Sequence, residues 1–564
     1  MKYSKLVEVY HILEKTPSKL KKTEIIADLL KETPANMLPK VVLLLSGNIF
    51  PLWSEDEIGI STSLMTKAIA KASGVESTKI TKEFKKSGDL GLVAETFIKQ
   101  KKQRTLLKVA LDVNKVYDNL KKMSTQGGKG SQDRKLSLVA ELMTQAAPEE
   151  AKYIARSVLE ELRIGVAEGI LRDSIAQAFG VDKKIVEDAW FLRPDYGVIA
   201  EIAKEKGERG LTTLEVEVGT PIVVLLAVKS PSLEQALKDA EEPALEYKYD
   251  GMRAQIHKKS DKIWIYTRSQ ENVTNAFPDL VELCRKNISA KECIIEGEVL
   301  AINNKTKKPM PFQALSQRIK RKYDIHETIK EIPIQVNLFD ITYLNGKLLF
   351  DKKLKERREI LENNISEISG RFQLSKMLIT KDLAKAEKFY AEALKAGQEG
   401  VMVKNLEAIY QPERHVGYWW KVKPILETLD LVVIGGTWGT GKRAGWIGSY
   451  ILGCRDPNTG EFLECGMLGS GLKEKKTEKD DITMEDLTKY LKPYIEHESK
   501  DSIKIKPKMV IEVAYEEIQK SPSYKSGFAL RFPRVVRIRF DKGSEEADTV
   551  ERLEKIYAMQ KGKR

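Results

Sequence analysis

The sequence predicts a multidomain protein in three parts: an all-α domain, then a mixed α/β domain, then an all-β domain built as a small barrel. Three observations predict it. At 564 residues the chain is too long for one hydrophobic core and implies roughly three or four domains. Apolar residues recur at helical spacing from the N-terminus to about Gly219. After Gly219-Thr220-Pro221 the texture becomes short alternating runs mixed with helices, and after Pro424 it becomes strands separated by glycine turns.

The first part, residues 1–218, opens with Leu6, Val9, Tyr10 and Leu13 on one helical face and continues through helices expected over Ala151 to Leu162 and Ile164 to Phe179. A glycine-rich basic loop, Ser124 to Gln132, interrupts it. Its backbone N–H groups and Lys129 suit a phosphate, although composition alone fits a plain linker equally well. The second part, 219–424, mixes strands with helices over Lys352 to Glu362 and Leu383 to Ala396. In the third, 425–564, the stretches Leu429 to Val433, Ser449 to Cys454 and Met509 to Tyr515 read as strands of a barrel.

Composition narrows the class of function. Hydrophobic residues at 42% and charged residues at 31% describe an ordinary soluble globular chain. The apolar runs Val41 to Leu45 and Ile222 to Val228 fall far short of the roughly 20 residues that span a bilayer. No membrane span or signal peptide is expected, and a cytoplasmic location follows. Cys284, Cys293, Cys454 and Cys465 lack the paired spacing of a zinc site and read as buried, reduced thiols, and the five histidines are scattered. A net charge of +13 favours a polyanionic partner, nucleic acid first, although a lysine-rich solvated surface gives the same total.

The chemistry concentrates in Glu246-Tyr247-Lys248-Tyr249-Asp250-Gly251-Met252-Arg253. Strand alternation places Glu246, Lys248 and Asp250 on one face, so a lysine is held between two carboxylates, and Gly251 allows a turn into a second strand. A surface ladder of charge pairs is the bland alternative for this segment alone. Similar ladders recur at Glu296-Gly297-Glu298, at Glu399-Gly400-Val401-Met402-Val403-Lys404 and at Lys421-Val422-Lys423. Phosphoryl transfer needs this mixture: carboxylates for magnesium, cations for the phosphoryl oxygens, and a nucleophile in line.

Taken in order, these motifs resemble those of the ATP-dependent DNA ligases of the archaeal and eukaryotic replicative type, over essentially the whole chain. Lys248-Tyr249-Asp250-Gly251-Met252-Arg253 is similar to the family's K-x-D-G-x-R motif, and Arg268, Glu298, Phe339, Glu399, Lys421 and Lys423 follow in family order. The resemblance implies a helical DNA-binding domain, a nucleotidyltransferase (adenylation) domain and a C-terminal OB-fold. It implies that Lys248 attacks the α-phosphate of ATP, that AMP passes to the 5′-phosphate of nicked duplex DNA, and that the 3′-hydroxyl expels it, in replication, repair and recombination.

The attacking amine must be neutral, so cations such as Arg253, Lys421 and Lys423, or burial, are expected to lower its pKa. By the same resemblance Glu246 reads the adenine edge, Phe339 stacks on the base, Glu298 meets the ribose or a metal, and Arg268 holds the nick phosphate. Asp250, Glu298 and Glu399 are the implied magnesium ligands. Arg531, Arg534 and Lys542 would meet the ATP phosphates as the barrel closes and help pyrophosphate leave. Lys129 and Arg163, the latter in Leu162-Arg163-Ile164-Gly165, are the implied DNA contacts.

Three features depart from the pattern. The family commonly carries an arginine where this chain has His415, which leaves Arg414 or His415 for that nucleotide contact. Gly436 to Arg443 nearly spells a phosphate-binding P-loop but has Arg443 where Ser or Thr is needed, and reads as a barrel loop. Gln103 to Leu107 faintly resembles a sliding-clamp-binding motif without its aromatic pair, and a helix surface is the simpler reading. Two rivals stay open on sequence: a GTP-using capping guanylyltransferase, and a DNA-binding protein with an inactive transferase fold.

Overall fold

The computed structural model describes residues 1–101, 110–128, 130–310, 312–320, 325–412, 418–424, 427–439, 443, 445–469, 471–472, 483–499 and 502–560. Lys129, Gln103 to Leu107, Arg414 and His415 lie outside the described residues.

Among these residues twelve α-helices, from Tyr3–Lys15 to Tyr196–Thr212, form the first part around one core that includes Tyr3, Leu6, Tyr10, Leu45, Ile154 and Leu171. The helix expected over 151–162 is Pro148–Val158, started by a proline at its first turn, and the next begins only at Glu168. The helix expected over Ile164 to Phe179 is therefore present but starts four residues later, after a turn. Arg163 at φ 59° and Gly165 at φ 65° are left-handed there, a conformation no helix interior accepts. The glycine-rich loop is also a turn: Arg134 donates to the Gly127 carbonyl at 2.7 Å and to Gln126 Oε1 at 2.9 Å, and Gly130 caps the helix Ser131–Gln145.

The second part holds two sheets. Its strands are β1 (Val228–Lys229), β2 (Pro243–Lys248), β3 (Met252–Lys259), β4 (Lys262–Thr267), β5 (Glu292–Ala301), β6 (Ile334–Leu344), β7 (Lys347–Leu348), β8 (Phe372–Leu374), β9 (Met377–Ile379), β10 (Gly400–Asn405) and β11 (Trp419–Val422). One sheet has the order β1-β11-β10-β2-β9; the other runs β4-β3-β5-β6-β7, with β8 parallel to β6. Consecutive strands β2 and β3 belong to different sheets, so the chain crosses between them at Tyr249-Asp250-Gly251. Each sheet has its own apolar backing. Leu245, Val401, Val403, Trp420 and Val422 pack on the helix Leu383–Lys395, while Met252, Ala254, Ile256 and Ile295 pack with the helix Pro278–Asn287. Period-two alternation thus leaves the opposite, polar faces of β2, β10, β11 and β3 for the cleft between the sheets.

The third part contains β12 (Leu429–Trp438), β13 (Ile447–Arg455), β14 (Phe462–Leu468), β15 (Ile495–Glu498), β16 (Ile503–Ile505), β17 (Val510–Ala514), β18 (Glu517–Lys520), β19 (Phe528–Arg531) and β20 (Arg534–Ile538). β12 is the hub, pairing β13, β16 and β17, and β17 also pairs β20. Two helices, Met484–Leu491 and Val550–Met559, add Leu487, Leu491, Leu553 and Ile556 to the barrel core. Gly436 to Trp438 lie on β12, and Gly439 N–H donates to the Trp446 carbonyl at 2.8 Å just before β13. The described residues of the P-loop-like stretch therefore belong to the antiparallel β12–β13 pair.

Candidate active site

Lys248 is the last residue of β2, where the chain leaves one sheet for the other. The following glycine is required by space rather than by turn freedom: a Cβ on Gly251 would run into the Val299 carbonyl, and its φ is not left-handed. Gly400 does both. Its φ is 144°, and a Cβ there would strike the Val422 carbonyl. Glu399, just before it, thereby reaches Lys248.

The pair is short, with Lys248 Nζ 2.5 Å from Glu399 Oε2, and Lys423 Nζ lies 2.6 Å from the same oxygen. Although Glu399 is buried, which alone would raise its pKa, Lys248 and Lys423 hold its carboxyl well below the usual carboxylate range. Lys421 points the other way. Burial lowers it, and the charges of Lys248, Lys423 and Arg268 lower it further, so these four cations share one field. The expected cluster of Lys421 and Lys423 is present, whereas Arg253 is held by Glu296 at 2.8 Å and the Leu225 carbonyl at 2.7 Å.

Glu298 stands across from Arg253 in the β3–β5 register. Burial pushes its carboxyl up to about 7, with Glu399 and Asp250 adding to the shift against Lys248 and Arg253. Three carboxylates therefore share the cleft floor, although among the described residues no three acidic, histidine or cysteine side chains form a closed metal cage. Such a half-site fits magnesium, which takes one or two carboxylates and completes its shell with water and substrate phosphates.

The cleft, about 770 Å³, has an aromatic wall. β6 carries a bulge where Glu296 faces Asp340 and Gly297 faces Leu338, and Phe339 is the extra residue. Its ring meets Trp419 edge to face at 5.9 Å. Lys404 lies 4.4 Å from the Phe339 ring and 4.2 Å from that of Trp419, and pairs with Glu246 at 2.8 Å. Burial lowers the Lys404 pKa, opposed by Glu246. Lys404 and Trp419 carry no role on the sequence alone; Trp419 alternates with Lys421 and could have been found by that count, whereas Lys404 falls out of phase with Glu399.

The structure brings Glu246, Lys248, Asp250, Arg253, Arg268, Glu298, Phe339, Glu399, Lys421 and Lys423 to this one cleft, and Arg531 with them. Arg531 Nη1 is 3.5 Å from Asp250 Oδ1, joining barrel to cleft. Arg534 and Lys542 are not in the cleft lining. Lys542 instead pairs with Asp430 at 2.6 Å, and Arg534 sits exposed on β20. Arg163 is exposed on the turn of the helical part, where it pairs with Glu161 and lies 3.6 Å from Asp89.

A lysine, paired carboxylates and a field of cations between two sheets define a site of the phosphate-transfer class. Comparison with known proteins narrows it. The chain matches the models described as DNA ligase N terminus over 2–176, ATP dependent DNA ligase domain over 224–423, and ATP dependent DNA ligase C terminal region over 443–542. It is 48% identical to the DNA ligase of Nanoarchaeum equitans, covering 100% of this chain and 99% of that one. With the DNA ligase of Thermococcus fumicolans it shares 45% identity, covering 99% of each. The solved structure Pmar-Lig_PreS3 shares the fold, with TM-score 0.58 at 18% identity, over 95% of this chain and 99% of that one. The chain belongs to the ATP-dependent DNA ligases. Among the described residues no helix is long and apolar enough to cross a membrane.

Proposed function

We propose that Lys248 is the residue that carries AMP, and that the chain seals nicks in duplex DNA through this lysine–AMP intermediate. The observation that carries the reading is the position of Lys248 at the sheet crossing, against Glu399 and beside Lys421, Lys423 and Arg268. When ATP enters, its phosphates compete for the lysines now held by Glu399. Lys248 Nζ, freed of its partner and having given up a proton to solvent, attacks the α-phosphorus, and pyrophosphate departs.

The adenine stacks on Phe339 with Glu246 reading its edge, and Arg253 lines the same cleft. Glu298 and Glu399, with Asp250 close by, would hold magnesium, which when bound would supply charge neutralisation at the phosphoryl oxygens. Arg531 approaches from the barrel to assist the first step; Arg534 and Lys542 lie outside the cleft lining and reach the nucleotide only if the barrel moves further, Lys542 also having to leave Asp430 of the same barrel. Arg268 receives the 5′-phosphate of the nick, while Arg163 and the turn of residues 127–132 grip the duplex backbone. The units that divide this labour are 1–218, 219–424 and 425–564.

The test is a nicked-duplex sealing assay with ATP and magnesium on the wild-type protein and on Lys248→Ala. Sealing by the first and none by the second is expected; sealing by both rejects Lys248 as the carrier.

A further inference from the structure

Arg253 is held by a closed circuit of four hydrogen bonds, and one member, Tyr410, belongs to none of the sequence motifs. Arg253 Nη1 donates to the Leu225 carbonyl at 2.7 Å, and Nη2 donates to Glu296 Oε2 at 2.8 Å. Tyr410 closes the circuit. Its hydroxyl accepts from Leu225 N–H at 3.0 Å and donates to Glu296 Oε1 at 2.9 Å. One hydroxyl thus ties together the same backbone unit and the same carboxylate that grip the guanidinium.

The circuit is dry and packed. Tyr410 is 2% exposed, Glu296 0% and Leu225 1%. The Phe350 ring stacks on Tyr410 at 4.8 Å, and Arg357, fixed by two bonds to Asp340, lies 5.4 Å from the same ring. Buried hydrogen-bond networks hold one geometry, and losing one bond to a charged member is costly. Arg253 Nε–H is buried and has no protein hydrogen-bond partner, so the two Nη bonds anchor the guanidinium in the cleft that Arg253 lines. Leu225 follows the connector from the helical part, where Val223 N–H donates to the Phe191 carbonyl at 2.9 Å.

We propose that Tyr410 is a positioning residue for Arg253, fixing the guanidinium against the bound nucleotide through Glu296 and Leu225. The proposal rests on the reading of Arg253 as a nucleotide contact. Single-turnover adenylation of the full chain with ATP and magnesium tests it on wild type, Tyr410→Phe, Arg253→Lys and the double variant. Tyr410→Phe raises the KM for ATP about tenfold and changes the maximal rate far less, because a bond to a charged group is lost in binding geometry. The double variant is no worse than Arg253→Lys alone, since Tyr410 acts through Arg253.

Additive losses, or a Tyr410→Phe protein with unchanged KM beside an impaired Arg253→Lys, overturn the positioning role and leave the nucleotide contact standing. An Arg253→Lys protein with unchanged KM overturns the contact itself and the proposal with it. Should Tyr410→Phe fail to fold, Glu296→Gln serves in its place, with the same rise in KM expected and an unchanged KM contradicting the proposal.

Discussion

Glu399 Oε2 is shared by two lysines, Lys248 at 2.5 Å and Lys423 at 2.6 Å. On the proposed role of Lys248, this carboxylate holds the nucleophile until phosphoryl oxygens displace it. Replacing it by Glu399→Gln removes the charge and keeps the shape. Lysine–AMP formation should fall by about a hundredfold or more, the scale for losing one preorganised electrostatic group. Single-turnover labelling with ATP checks this, and wild-type kinetics would rule out the assigned role.

The buried Glu298 predicts a pH dependence of defined sign. Its carboxyl is raised from 4.5 to about 7, so the folded chain holds a proton there that the unfolded chain has lost. Its contribution to stability is present below 4.5, declines as pH rises through that interval, and is gone above about 7. Magnesium and nucleotide need the ionised form. The KM for ATP in adenylation should accordingly rise as pH drops below about 7, by up to about tenfold per unit. A flat profile between about pH 5.5 and 8 contradicts it.

Lys404 and Glu246, each nearly inaccessible to solvent, form an ion pair under the aromatic wall. Lys404→Met leaves the Glu246 carboxylate buried, with Arg358 at 4.0 Å its remaining ion-pair partner among the described residues. About 3 to 5 kcal/mol of stability should be lost, and Glu246→Met combined with Lys404→Met should recover much of it without restoring nucleotide binding. Chemical denaturation and ATP labelling of the three proteins measure both parts. Equal stability of the single and double variants would show that the pair is not coupled.

Arg531 touches Asp250 across the barrel boundary at 3.5 Å, so it serves the state in which the barrel faces the cleft. Arg531→Ala should slow the reaction with ATP by about tenfold or more while leaving sealing of a pre-adenylated nick within about twofold. Equal losses in both steps would mean that the contact is not specific to the first.

The site was legible in the sequence to the extent that it lies in strands. Period-two alternation placed Glu246, Lys248 and Asp250 together and holds likewise for Trp419, Lys421 and Lys423, but not around Glu399, which stands out of phase with Lys404 across Gly400 at φ 144°. What alternation does not carry is contact between distant segments. Tyr410 meets Glu296 from 114 residues away, and Leu225 from 185. Nor does it carry backbone handedness: the turn at Arg163 and Gly165 interrupts a run of apolar residues that reads as helix. The role expected of Lys542 came from resemblance, and its pairing with Asp430, on β12 of the same barrel, has no signature in the local sequence pattern.

Everything assigned to the cleft depends on a covalent bond between Lys248 and AMP. Mass spectrometry of the protein after incubation with ATP and magnesium should find one adenylate on the peptide containing Lys248, absent from Lys248→Ala and removed on adding nicked duplex. An unmodified Lys248, or an adenylate on another residue, contradicts the account.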